Sequence, residues 1–189
     1  MVRSLVTLLI LCVVFLPRLV VGKSAAVAAS PEMMRNTAAL ALISFPWQVL
    51  KYQIVFKDPQ TGYRAMTYPR QHRIEIYARP GDDATQLARD IAHELGHAVD
   101  VTYNTPKSRK KWMEIRRIDP ATPWFACDKC SDFNSPSGDF AETFALLQVG
   151  GDSFSGRIAA RPTAKDIPLL LSFFSFLPEN AFPAPKTRV

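Results

Sequence analysis

Hydrophobic and polar positions divide the chain into a strand-like stretch and a longer helical one. In LKYQIVFKD (50–58), β-branched and aromatic residues alternate with polar ones, the period of a half-buried strand. PQTG offers a turn, and YRAMTY (63–68) is expected to fold back as its partner. HRIEIYARP (72–80) alternates too, with Ile74, Ile76 and Ala78 on one face and Arg73, Glu75 and Tyr77 on the other. Residues 31–44 predict a first helix with Pro31 near its start. GDDATQ opens a long helix to about Tyr103, with Asp82 or Asp83 as N-cap. A basic helix is expected over 106–117, a loop over 119–138, and a short helix over 140–149 stopped by Gly150 and Gly151. A last helix is expected over 163–177, with Pro168 in its first turn, and a loose tail over 178–189. Strands followed by helices, without βαβ alternation or internal repeat, predict an α+β fold with a short antiparallel or mixed sheet.

The N-terminus reads differently. Arg3 precedes the apolar run LVTLLILCVVFL (5–16), to which Cys12 belongs, and small residues follow with Ala-x-Ala at 26–28. That is the pattern of a signal peptide over 1–28, and the run is short for a bilayer span. LVVG beyond Arg18 leaves an uncleaved anchor as the alternative. The expectation is a secreted or cell-envelope protein, in contact with a membrane only if this segment stays attached. Residues 29–177 then form a single domain.

Residues 1–28 carry Arg3, Arg18 and Lys23 and no acid, so half of the formal charge of +6 leaves with them. Most of the remaining excess lies in KSRKKWMEIRR (107–117), which reads as a solvated helix face. Contact with an acidic partner or a membrane surface is the sharper alternative. No interleaving of basic and aromatic residues suggests nucleic acid. Cys127 and Cys130, in CDKC, are expected to form a small disulfide loop.

The chemistry concentrates in DIAHELGHAVD (90–100). On a helical wheel His97 lies about 40° from His93 and one turn along, so both imidazoles can converge on one ion. Leu87, Ile91, Leu95 and Ala98 fall on the opposite side, and Gly96 has no side chain to obstruct the ion. Glu94 points beside the histidines, as a carboxylate that reaches a metal-bound water must. Three protein ligands with one open position is the catalytic zinc pattern. GDFAETFALL offers Glu142 as the third, a carboxylate in an apolar helix that a cation would satisfy. Asp100 is the rival, more readily an acceptor for a ligand histidine, and Asp139 is a weaker candidate for the same task or a helix cap. His72 is expected to face solvent.

HELGHAVD (93–100) followed by DFAETFA (139–145) resembles the zincin metallopeptidases with a glutamate third ligand, the gluzincins. The nearest likeness is to the branch holding the anthrax lethal factor catalytic domain and the secreted Pro-Pro endopeptidases. The resemblance covers these two short blocks. It implies a small zincin-like domain with His93, His97 and Glu142 as zinc ligands and Glu94 as catalytic base. Such relatives place a tyrosine seven residues before the ligand glutamate to stabilise the oxyanion. Here that position is Ser135, and Tyr103 is the substitute considered. In zincins the strand before the zinc helix, here HRIEIYARP, borders the cleft and pairs with an extended substrate.

The expected function is therefore zinc-dependent endopeptidase action on an extracellular or envelope polypeptide, with Glu94 as general base. The alternative is a secreted, catalytically inactive zincin that binds a polypeptide without cutting it, which Ser135 favours.

Overall fold

A computed structural model describes residues 29–127 and 130–177. The signal-peptide and tail expectations fall on 1–28 and 178–189, outside the described residues. The architecture is α+β, with a small three-stranded sheet and five α-helices among the described residues.

The strands are β1 (Gln53–Lys57), β2 (Ala65–Tyr68) and β3 (Arg73–Tyr77), in the order β1-β3-β2. β1 runs parallel to β3, and β2 antiparallel to it. The expected β1–β2 hairpin does not form. The tight turn lies instead between β2 and β3, where a 3-10 turn over Pro69–Gln71 ends on His72 at φ 47°. The connection after β1 crosses the end of β3 and delivers β2 to the free edge. Ile74 and Ile76 point into the core as their alternation requires. His72 is exposed, with its ring beside Tyr52.

The helices are α1 (Pro31–Ala41), α2 (Ala84–Tyr103), α3 (Pro106–Arg116), α4 (Pro136–Val149) and α5 (Ile167–Phe173). Three of them start alike: Ser30–Pro31, Thr105–Pro106 and Ser135–Pro136 put a hydroxyl at the N-cap and proline at the first helical position. The cap oxygen accepts an amide that has no partner in the helix, and proline has no such amide to satisfy. α2 begins at Asp83, whose carboxylate accepts the Gln86 amide.

α2 is the central element, in contact with α4, α1 and the sheet. Leu87, Ile91, Leu95 and Ala98 pack into the core. α4 covers the other flank, so α2 is buried on more than the one stripe its periodicity suggests. Phe140 and Phe144 of α4 join Trp112 of α3 and Phe174 in an aromatic cluster beneath. One continuous core reaches from Ala39 to Leu177.

Candidate metal centre

The crossing of α2 and α4 sets the site. A Cβ on Gly96 would lie 2.6 Å from the Ala141 Cα, so this glycine permits close helix packing. The expected role, clearing space for an ion, is not the one it takes. One turn apart on α2, the His93 and His97 rings stand 4.9 Å apart, edge to face. Both turn toward the segment just before α4.

There the structure places an acid outside the expected set. Asp132 Oδ2 lies 2.9 Å from His93 Nε2 and 3.0 Å from His97 Nε2. His93, His97 and Asp132 form a group able to hold a metal ion. Two imidazole nitrogens and a carboxylate oxygen are a donor set that zinc and other divalent transition metals accept.

The position of Asp132 follows from its local chain. The Ser135 amide and hydroxyl both donate to the Asp132 carbonyl, each at 2.7 Å. The Ser135 hydroxyl also accepts the Gly138 amide and so caps α4. A Cβ on Gly138 would collide with the same carbonyl. Ser135 is thus a 2 % exposed structural residue and supplies no oxyanion donor. Tyr103 packs on Phe176, outside the cleft, whereas Tyr63 lines it.

Glu142 sits on the other side of the His93 ring. Its Oε2 lies 3.0 Å from His93 Nδ1, while Oε1 accepts the Ser155 amide at 2.7 Å and Arg89 at 3.4 Å. Both Glu142 oxygens are thus engaged, one of them on the His93 ring, and Glu142 lies outside the group of three donor atoms. Asp100, expected to accept from a ligand histidine, instead binds Arg109, Trp124 and Asn104. Asp139 holds Arg116 and Trp112.

The charges are strongly coupled. Burial favours neutral His93, but hydrogen bonds to Asp132 and Glu142 outweigh it and push the pKa up to about 10. Burial likewise raises the carboxyls of Asp132 and Glu142. The histidines overcome this for Asp132, and His93, the Ser155 amide and Arg89 overcome it for Glu142, so both end below the usual range. His93 is clamped between two carboxylates, which favour its protonated form.

The group opens into a cleft of about 930 Å³. Glu94 lines it, and its Oε2 accepts the Thr67 hydroxyl at 2.7 Å. Thr67 belongs to β2, so the cleft wall is the edge strand, not the central β3 expected to border it. The Cys127–Cys130 disulfide forms, and Cys130 lines the rim.

No family model, curated protein or solved structure matches this chain.

The donor set and its surroundings therefore carry the functional reading. Sequence reasoning missed Asp132 and Thr67. Ser135–Pro136, a helix-start signature, would have moved the start of α4 back four residues and set Asp132 just before it. Thr67 had no signal, because its partner depends on which strand takes the edge.

Proposed function

We propose that this protein is a zinc-dependent endopeptidase acting on an extracellular or envelope polypeptide, with Asp132 as third ligand. One observation carries the reading: two helix-borne Nε2 atoms and one carboxylate oxygen converge in an open cleft beside a second, separate carboxylate, Glu94. A metal ion held there supplies Lewis-acid activation of water and of a scissile carbonyl.

The chain's own residues supply the rest. Thr67 fixes Glu94 through Oε2 and leaves Oε1 without a protein hydrogen bond among the described residues. Glu94 takes the proton from the attacking water and returns it to the leaving amine. Glu142 holds the His93 ring through Nδ1 and keeps Nε2 turned toward Asp132, where the two would hold an ion together with His97. The free edge of β2 offers main-chain groups to an extended substrate, which lays a peptide bond along the cleft.

A two-histidine, one-carboxylate set also suits ferrous iron. The Glu94–Thr67 pair favours hydrolysis, because it places a proton acceptor beside the site. The inactive, polypeptide-binding alternative keeps the support of Ser135, because its hydroxyl caps α4 and does not replace the oxyanion-stabilising tyrosine.

The test combines elemental analysis of purified protein with a peptide-library digest of wild type and Glu94→Gln. The expected result is one zinc per chain in both and cleavage only by wild type. Stoichiometric iron, or zinc-loaded wild type that cuts no peptide, rejects the proposal.

A further inference from the structure

We propose that the face formed by α3 and α5 docks the protein on an anionic lipid surface. Two apolar stripes run along α5 and the 3-10 turn that follows it. Leu170, Phe174 and Leu177 point into the core and are at most 6 % exposed. Leu169, Phe173 and Phe176 repeat the same i, i+4, i+7 spacing one residue earlier, with Leu169 and Phe176 exposed and Phe173 half-buried against Trp112. Leu169 is 53 % exposed and Phe176 42 % exposed. The Tyr103 ring, also exposed, lies 6.0 Å from that of Phe176 and extends the patch.

Positive charge borders this stripe. A shallow groove of about 470 Å³ runs between α3 and α5, lined by Phe173 on one side and by Lys107, Lys110 and Lys111 on the other. Glu114 is the acid in the groove and pairs with Lys111 at 3.1 Å, which leaves Lys107 and Lys110 unpaired among the described residues. Lys165 adds another exposed cation just before α5. Asp166 beside it is hydrogen-bonded to Thr163.

Leu169 and Phe176 project from a helix surface and do not line the floor of a slot. A polypeptide ligand would gain little enclosure there. A bilayer takes such groups directly: protruding leucine and phenylalanine enter the boundary between headgroups and acyl chains. The lysine stems lie along the apolar surface and set their ammonium groups among the phosphates. None of the residues lining this groove lines the metal-site cleft, so docking and peptide hydrolysis stand or fall separately.

The test is co-sedimentation of the full chain with phosphatidylcholine vesicles, with and without phosphatidylglycerol. The apolar run at 5–16 is common to all variants, so differences between them report on the α3–α5 face. Binding should require phosphatidylglycerol and weaken with salt. The triple variant Lys107→Gln, Lys110→Gln, Lys111→Gln should lose affinity on the order of a hundredfold. A Phe176→Trp reporter should shift to the blue on vesicles and be quenched by brominated lipid. The proposal is overturned by a reporter that stays unquenched, or by a triple variant that binds like wild type. It is equally overturned by a lipid-free dimer that Phe176→Ser abolishes, which makes the occupant a second copy. Binding of polyglutamate in place of vesicles would point to an acidic polypeptide and overturn it too.

Discussion

Gly96 and Ala141 meet where α2 crosses α4, at a separation with no room for a Cβ on the glycine. The neighbouring atom is backbone, not the tip of a flexible side chain, so a methyl group there must push the helices apart. Gly96→Ala is expected to destabilise the fold by about 1–3 kcal/mol, the usual cost of overpacking. The same displacement moves His93 and His97 away from the segment that carries Asp132. Urea unfolding and zinc titration of this variant should both show losses; unchanged zinc affinity in a destabilised variant would separate the crossing from the site.

Asp132 and Glu142 are the two acids that touch the histidines, and they touch different nitrogens. Asp132→Ala removes the proposed third ligand and should abolish stoichiometric zinc binding. Glu142→Gln keeps a hydrogen-bonding group beside Nδ1 and should weaken zinc by about 10- to 100-fold, the range for partners that orient a ligand histidine. Competition with a chromophoric chelator measures both. The reverse ranking would make Glu142 the third ligand and Asp132 its neighbour.

Periodicity made α2 legible from its cap at Asp83 to its end at Tyr103, and with it the convergence of His93 and His97, because both follow from local helical geometry. The β2–β3 pairing was not legible. Both candidate partners of β2 alternate equally well, and the choice rests on a left-handed turn at His72. Asp132 was hidden for a related reason: its place depends on Ser135 and Gly138, in a stretch whose proline and glycine content reads as loop. Asp100 lies within about 20° of His93 on the wheel, yet Arg109 and Trp124 claim it from elements a wheel does not contain.

The clamped imidazolium gives the metal-free protein a definite pH response. The folded-state pKa of His93, about 10, lies above its unfolded value of 6.5. Its contribution to stability is therefore fully present below pH 6.5 and is lost as pH rises through 10. Asp132 and Glu142 titrate below their unfolded values, so their contributions hold above those values and fade in acid. Zinc must displace the His93 proton, so the rise in Tm on adding zinc should grow with pH between about 6.5 and 10. Calorimetry with EDTA and with zinc, across that window, checks it; a zinc-induced shift independent of pH would contradict a protonated, doubly bonded His93.

Asp100 and Asp139 flank the two blocks of polar sequence that suggest a metal site, and both are fully buried. Each joins an arginine to a tryptophan indole: Asp100 binds Arg109 and Trp124, and Asp139 binds Arg116 and Trp112. Neither touches a ligand histidine, so neither should set the affinity for zinc once the chain is folded. Removing a buried partner leaves a cation and an indole N–H stranded, at about 3–5 kcal/mol. Arg116 is only 7 % exposed against 22 % for Arg109, so water relieves the stranded Arg116 less. Asp139→Ala is therefore expected to be the more damaging of the two. Denaturant midpoints give the order of stability, and zinc titration of the folded fraction should return a wild-type constant for both; a weakened constant for Asp100→Ala would return that residue to the metal site.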